Sequence, residues 1–168
     1  MVVRQRQTGQ RKKIGAGLGR ALCDCPGLWA CIGNLDISLT FGGVADDSCT
    51  TCEDLNATLI LSPGSIFEAF GYCRYRSAGD LLAASCSTSF WIDCIIIDLG
   101  DGTCSLYVAI GQGSSFATSI LVAEFARTLS AVEFTDLCAG AATDVPIDET
   151  PAASVCDFSS ATCELTIA

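Results

Sequence analysis

Cysteine is the residue type that offers this chain the most chemistry, and histidine is missing altogether. The 168 residues include twelve cysteines and no histidine. The cysteines are Cys23, Cys25, Cys31, Cys49, Cys52, Cys73, Cys86, Cys94, Cys104, Cys138, Cys156 and Cys163. A cysteine content this high in a short chain is typical of a disulfide-stapled domain outside a reducing compartment. We therefore predict that all twelve form disulfides, with a pairing that the spacing leaves open.

A four-thiolate zinc site is the alternative use of these cysteines. Cys49-Thr-Thr-Cys52 has the spacing of a zinc knuckle, Cys23-Asp-Cys25 would complete the ligand set, and thiolates bind zinc without histidine. A zinc ribbon, however, usually has two Cys-x-x-Cys knuckles, whereas this chain has one, and the other cysteines would remain unexplained. The sequence therefore favours disulfides, and we predict no metal and no other cofactor.

Catalysis by the usual triads is excluded because the chain has no histidine to act as general base. The remaining candidates are carboxylates. Asp93, Asp98 and Asp101 could form a glycosidase-type pair near one turn, but turn formation and solubility are commoner roles for such residues. Calcium could bind at Asp98 with Asp101, or at Asp144 with Asp148 and Glu149, although neither group has EF-hand spacing. We predict that the protein is not an enzyme.

Positive charge is concentrated at the start of the chain. Six of the nine Lys and Arg residues lie there, before any acid: Arg4, Arg6, Arg11, Lys12, Lys13 and Arg20. The rest of the chain, the body, carries all nineteen acids and three arginines. We predict a flexible basic arm over residues 1–22 and a cysteine-rich β-domain over residues 23–168. The arm could bind a neighbouring copy or another assembly protein, bind nucleic acid, or only solubilise the terminus.

Strand-forming patterns dominate the body. Alternating apolar and polar residues or β-rich runs predict strands over residues 35–41, 55–61, 67–76 and from Cys163 onward. Residues 119–129 fit either a strand or a short helix, and residues 139–153 are predicted to be a loop. Short strands separated by turns indicate an all-β fold, either an antiparallel β-sandwich or an open barrel.

The strongest strand signal is a hairpin, because a Gly-Asp-Gly turn at residues 100–102 separates two β-rich runs. If the turn has two residues, the numbers of paired positions sum to an odd value. Cys104 would then share a face with Ile95, and Cys94 with Ile96. Unless a β-bulge intervenes, the two cysteines would point to opposite faces of the sheet and would not bond to each other.

Three segments carry a resemblance to other proteins: residues 43–58 (GVADDSCTTCEDLNAT), 71–75 (GYCRY) and 163–166 (CELT). Together they resemble a group of uncharacterised cysteine-rich β-domain proteins of planctomycete-type bacteria and phage-like gene sets. The resemblance extends from about Leu35 to the C-terminus, and the Cys-x-x-Cys-x-x-Leu-Asn segment is its most specific part. It implies an all-β fold and a virion or surface setting, with no established activity.

The arm, the cysteine content and the resemblance indicate a non-enzymatic structural subunit of an extracellular assembly, such as a virion decoration or tail component or a surface filament. The arm would tether each subunit to its neighbour. The glycine-rich segment after the first cations is too short and polar for an export signal, which suits oxidation after release or an unusual export route. The alternative is a surface carbohydrate-binding or adhesin domain, with Trp29, Tyr72, Tyr75 or Trp91 contacting the glycan. No apolar run is long enough to span a membrane.

Overall fold

The computed structural model describes residues 36–67, 72–76, 81–83, 88–99, 103–113 and 118–167. Strands predominate: β1 Ile37–Gly42, β2 Ala45–Asp46, β3 Thr58–Leu61, β4 Pro63–Phe67, β5 Tyr72–Arg76, β6 Leu81–Ala83, β7 Thr88–Asp98, β8 Cys104–Gln112, β9 Ile120–Leu129, β10 Thr143–Val145, β11 Ile147–Glu149, β12 Cys156–Asp157 and β13 Thr162–Ile167. Helix α1 covers Ala131–Cys138, and a 3-10 helix covers Cys52–Leu55. The described strands pair antiparallel, which confirms the predicted all-β class.

Two large sheets form the described body, and a third sheet contains only β2 and β12. The smaller sheet has the strand order β10-β13-β1-β3, and the larger sheet has the order β11-β9-β8-β7-β5-β4, with β6 paired to β7. Their inner faces contribute to one hydrophobic core. Phe41 of the smaller sheet meets Phe125 of the larger sheet there, with ring centroids 5.9 Å apart. The arrangement is an antiparallel β-sandwich.

Alternating burial along the strands explains why the sequence forms two layers. On β8 the even-numbered residues from Cys104 to Ile110 are buried, and the residues between them are half-buried. Ile37, Leu39 and Phe41 on β1 follow the same rule. Successive side chains of a strand point to opposite faces, so each strand places one apolar row in the core. The opposite rows form the outer faces of the sandwich.

The predicted hairpin is present as β7 and β8, but its register differs from the prediction. Cys94 pairs with Val108 and Cys104 with Asp98, so the numbers of paired positions sum to an even value. The N–H of Leu99 donates to the carbonyl of Thr103 at 3.1 Å, which closes a connection longer than two residues. Cys94 and Cys104 therefore both point into the core, and their predicted placement on opposite faces is wrong. They are not opposite each other in the ladder.

Three further segments show where local sequence gave incomplete information. Residues 67–76, predicted as one strand, contain the end of β4 and all of β5, which pair with each other. Residues 119–129 form strand β9 rather than a helix. Residues 139–153, predicted as a loop, contain β10 and β11. These two short strands form because they pair with β13 and β9, which is a tertiary effect.

Loops around β2 and β12 close one end of the sandwich. Asp46 pairs with Cys156 in this two-stranded ladder, and the Asp46 carboxylate accepts the N–H of Cys52 at 2.9 Å. The N–H of Cys49 donates to the carbonyl of Val155 at 3.1 Å. These hydrogen bonds hold the Cys-x-x-Cys segment against β12.

Candidate functional site

A cavity of about 300 Å³ opens on the outer face of the larger sheet. We call it the outer pocket, and its principal lining residues are Arg74, Trp91, Asp93, Tyr107, Ala109 and Gly111. These residues lie on β5, β7 and β8, in the rows that face away from the core. Because the strands are held by the core on their other face, the outer pocket is built on a rigid support.

An ion pair forms one side of the outer pocket. The Arg74 guanidinium donates from Nε to both carboxylate oxygens of Asp93, at 2.7 and 2.8 Å, and also donates from its terminal nitrogen. A terminal nitrogen of Arg76 lies 3.4 Å from the same carboxylate. Asp93 is only 7% exposed, and a carboxylate this buried requires a charged partner. The Asp93 carboxylate is thus shared by two guanidinium groups, and this cluster supplies charged hydrogen-bonding groups to one side of the outer pocket.

Two aromatic side chains form the other walls of the outer pocket, and each is fixed by a hydrogen bond. The indole N–H of Trp91 donates to the carbonyl of Gly113 at 3.0 Å. The Tyr107 hydroxyl donates to the Glu124 carboxylate. Burial, and then this hydrogen bond, raise the pKa of Tyr107 above its usual value, so the phenol stays protonated at physiological pH.

The floor between these walls is made of small residues. Ala109 stands between Asp93 and Glu124 in the ladder. Gly111 lies against Ser119, and a Cβ atom at Gly111 would come within 2.6 Å of the Ser119 hydroxyl oxygen. The small side chain of Ala109 leaves the hollow open, and the absence of a side chain at Gly111 lets Ser119 approach and line it.

A second cavity, of about 440 Å³, lies beside β2 and β12 at the disulfide-linked end. Asp46, Asp47 and Asp157 line it and are exposed, and we call it the acidic groove. The N–H of Ser159 donates to the Asp157 carboxylate at 2.8 Å, and this hydrogen bond lowers the pKa of Asp157. Three carboxylates give the groove a negative charge at neutral pH.

Other surface carboxylates also lie side by side. Asp144 is directly opposite Glu164 in the ladder of β10 and β13, and both are exposed. Like charges at opposed positions repel each other. The arginines of the body engage other acids: two of them bind Asp93, and Arg127 binds Glu133 at 2.9 Å. Among the described residues, no cation forms a salt bridge with the acidic groove or with this pair.

Three sulfur atoms gather next to the acidic groove. Cys52 and Cys156 form a disulfide with their Cα atoms 5.6 Å apart. The sulfur of Cys49 lies within 4.8 Å of both, and Cys49 is itself disulfide-bonded. These sulfurs are thus held in bridges rather than arranged as thiolate ligands. Cys23 and Cys25, the other residues of the zinc alternative, lie outside the described residues.

The other described cysteines differ in state. Cys138 is disulfide-bonded. Cys94 on β7 and Cys163 on β13 are buried thiols in facing sheets, so the prediction that every cysteine is bridged is not met at these two. Burial raises the pKa of both thiols, that of Cys163 to about 12, and the nearby Cys163 adds to the rise at Cys94. For the following cysteines bridging stays a prediction, because their side chains lie outside the described residues: Cys23, Cys25, Cys31, Cys73 and Cys86.

The carboxylates considered for glycosidase chemistry are not brought together. Along the backbone, Asp98 lies five residues beyond Asp93 on β7, which is ~16 Å further along the strand. Glycosidase carboxylates are separated by only about 5–9.5 Å. Asp101 lies outside the described residues. The acids of β10 and β11, considered for calcium, do not form a metal-sized cluster in the described part of the chain.

The aromatic residues expected to contact a glycan have different positions. Trp91 lines the outer pocket, but Tyr75 is fully buried in the core, so the prediction is wrong for Tyr75. Trp29 and the side chain of Tyr72 lie outside the described residues. Tyr107 was not anticipated from the sequence. Its signal is the order of residue types along β8, in which one aromatic residue is followed on the same face by two small ones.

The chain was compared with known proteins, and no protein-family model, curated protein or solved structure matches it. In the described segments, no helix has both the length and the apolar character needed to cross a bilayer. The six cations of the predicted arm lie outside the described residues. The outer pocket, the acidic groove and the charge distribution are therefore the basis for a functional proposal.

Proposed function

We propose that this protein is a non-enzymatic structural subunit of an extracellular assembly, such as a virion component or a surface filament. In this proposal the basic arm of one copy binds the acidic surface of its neighbour. The observation that carries the proposal is the distribution of salt bridges. The three body arginines bind Asp93 and Glu133, whereas exposed carboxylates line the acidic groove.

Charge complementarity supports this pairing of arm and body. The six cations of the arm precede every acid in the sequence, so the arm has no internal counter-charge. The acidic groove presents negative charge that no described arginine pairs with. Asp144 and Glu164 add two exposed carboxylates, although Arg127 reaches the backbone carbonyl of Asp144 at 2.8 Å. Opposite charges attract over roughly a Debye length, about 8 Å at physiological ionic strength, so association would be sensitive to salt.

Disulfides support the extracellular part of the proposal. Cys52 and Cys156 are bridged, and Cys49 and Cys138 are also disulfide-bonded. Such bonds persist outside reducing compartments and stabilise a subunit that has to survive there. A stapled sandwich with a basic arm has the two properties that an assembly subunit needs, which are a durable body and a tether.

The test compares three forms of the oxidised chain: the full chain, a deletion of residues 2–20, and a full-length variant with the six arm cations replaced by glutamine. Light scattering measures mass as a function of protein and salt concentration. We expect the full chain to assemble as its concentration rises and to dissociate in high salt, whereas both altered forms stay monomeric. The glutamine variant separates the effect of charge from that of arm length.

Three results would contradict the proposal. The deletion could assemble as well as the full chain, or the full chain could stay monomeric at every concentration. The third is binding of the arm to the body of its own chain. In that case the effect of salt would be the same at every protein concentration. Binding of the arm to nucleic-acid phosphates would also fall steeply with salt, so salt dependence alone does not distinguish the two interpretations of the arm. A gel-shift measurement with duplex DNA tests the nucleic-acid interpretation directly.

A further inference from the structure

We propose that the outer pocket binds a single neutral sugar residue, such as the end of a neutral glycan. This inference goes beyond the proposed assembly function and uses different residues. The pocket lies on the outer face of the larger sheet, whereas the acidic groove lies beside β2 and β12. The two sites can therefore be tested separately.

The dimensions of the outer pocket fit a small ligand. Its volume of about 300 Å³ is at the lower end of the range for small-molecule sites, which suits one ring better than an extended chain. Ala109 and Gly111 form the floor, and Trp91 and Tyr107 rise beside it. A ring that enters the pocket can thus lie on small residues with aromatic side chains around it.

The charge of the outer pocket selects against ions. Arg74 and Arg76 share the Asp93 carboxylate, and the Glu124 carboxylate accepts from Tyr107, so two positive and two negative charges surround the pocket and balance each other. The Arg74–Asp93 pair offers N–H donors and carboxylate lone pairs close together. A neutral ligand with many hydroxyl groups can use both kinds of group at once, and a sugar is such a ligand.

The aromatic walls account for the apolar part of the recognition. A sugar ring has C–H groups on its faces and hydroxyl groups around its edge, so it packs well against an aromatic side chain that has polar neighbours. Trp91 and Tyr107 are already held by hydrogen bonds to Gly113 and Glu124. Little side-chain freedom is lost on binding, because the walls are ordered before the ligand arrives.

The test begins with a panel of immobilised glycans that end in neutral hexoses or N-acetylhexosamines, with sialylated and sulfated glycans for comparison. The oxidised full chain is compared with Ala109→Val, which fills the floor, and with Ala141→Val, the same exchange at an exposed position after α1 that does not line the pocket. We expect neutral glycans to bind. Ala109→Val is expected to weaken binding at least about tenfold, as extra methyl groups do in a fitted pocket. Ala141→Val should change it by less than about twofold.

A second measurement makes the result independent of whether Ala109→Val folds well. The chain has two tryptophans, so Trp29→Phe leaves Trp91 as the sole tryptophan fluorophore. Titration of this variant with the free sugar selected on the panel is expected to shift the Trp91 emission in a saturable way. The inference is overturned if no neutral glycan binds, if only charged glycans bind, if Ala109→Val binds normally, or if the emission does not respond.

Discussion

Cys52 and Cys156, which are 104 residues apart in sequence, are joined by a disulfide that links the 3-10 helix to β12. The bridge joins a segment that follows β1 to a segment that precedes β13, and these two strands also pair with each other. The sulfur of Cys49 lies within 4.8 Å of both members. The acidic groove is therefore built on a covalently closed frame.

Removal of this bridge is expected to destabilise the protein strongly. The double variant Cys52→Ala/Cys156→Ala should lose about 3–5 kcal/mol of unfolding free energy, because a disulfide that closes a long loop restricts the unfolded chain. Urea unfolding under non-reducing conditions measures the loss. A double variant as stable as the unaltered chain would show that the hydrogen bonds around β2 and β12 are sufficient without the bridge.

The single variant Cys156→Ala is expected to behave differently from the double variant. It leaves the Cys52 thiol next to the disulfide-bonded Cys49, which permits thiol–disulfide exchange. Peptide mapping without reduction should then find more than one pairing for Cys49. A single pairing in this variant would mean that the two sulfurs cannot reach each other in the folded protein.

Helix α1 provides a prediction about local stability. The Ser130 hydroxyl accepts the N–H of Glu133, and the Glu133 carboxylate accepts the N–H of Ser130 at 2.9 Å, which is a capping box. Ser130→Ala should cost about 1 kcal/mol, the usual effect of losing an N-cap side chain. Thr128→Ala, at an exposed position shortly before the helix, is the matched control. Equal unfolding free energies for the two variants would contradict the assignment.

The same capping box predicts a pH effect. Hydrogen bonds from the backbone and side chain of Ser130, and then the interaction with Arg127, lower the pKa of Glu133. A carboxyl with a lowered pKa in the folded state stabilises the fold above its unfolded pKa, and this contribution is lost as the pH falls through the folded value. Ser130→Ala removes the side-chain hydrogen bond and keeps the backbone one, so NMR titration should show the Glu133 pKa rising only part of the way toward its ordinary value.

The elements of this fold could largely be predicted from the sequence, whereas their register could not. The β7–β8 hairpin was evident from its Gly-Asp-Gly turn, but both faces of β7 are apolar, so nothing local indicated which row faces the core. The prediction assumed a turn of two residues, whereas the connection is one residue longer. This difference reverses the face predicted for Cys104 relative to Cys94. Helix α1 was missed, although Ser130-x-x-Glu133 is the sequence signature of a capping box.

The outer pocket was only partly predictable for the same reason. Trp91 was recognised as a possible ligand contact, but Tyr107 could be placed beside it only after the hairpin register was known. The Arg74–Asp93 pair depends on the pairing of β5 with β7, across a segment where the sequence suggested one strand instead of two. Tyr75 illustrates the opposite error, because an aromatic residue next to two arginines is buried in the core.

The Arg74–Asp93 pair is expected to be worth more to stability than an exposed salt bridge. Asp93→Asn leaves the guanidinium groups of Arg74 and Arg76 together without their carboxylate. We expect a loss of about 2 kcal/mol, less than for a fully buried pair because the arginine side chains are partly exposed. The double variant Arg74→Met/Asp93→Asn should lose less than the sum of the single variants. Strict additivity in this cycle would contradict a direct interaction.

The thiols of Cys94 and Cys163 lead to a prediction about reactivity. Burial raises the pKa of both, so in the folded protein they stay protonated at mildly alkaline pH, where an ordinary thiol begins to ionise. We expect an alkylating agent to leave both unmodified in the native protein and to modify both when the protein is unfolded without a reductant. Mass spectrometry of peptides locates the label.

The sign of the accompanying pH effect follows from the same shifts. A thiol whose pKa is raised in the folded state stabilises the fold below its unfolded pKa, and this contribution is lost as the pH rises toward the folded value, about 12 for Cys163. Unfolding free energy should therefore fall at alkaline pH, and Cys163→Ala should reduce this dependence.

If neither cysteine is alkylated until a reductant is added to the unfolded protein, both are bridged in the isolated protein. The prediction of twelve bridged cysteines would then hold at these two positions, and the pH dependence assigned to them would be absent.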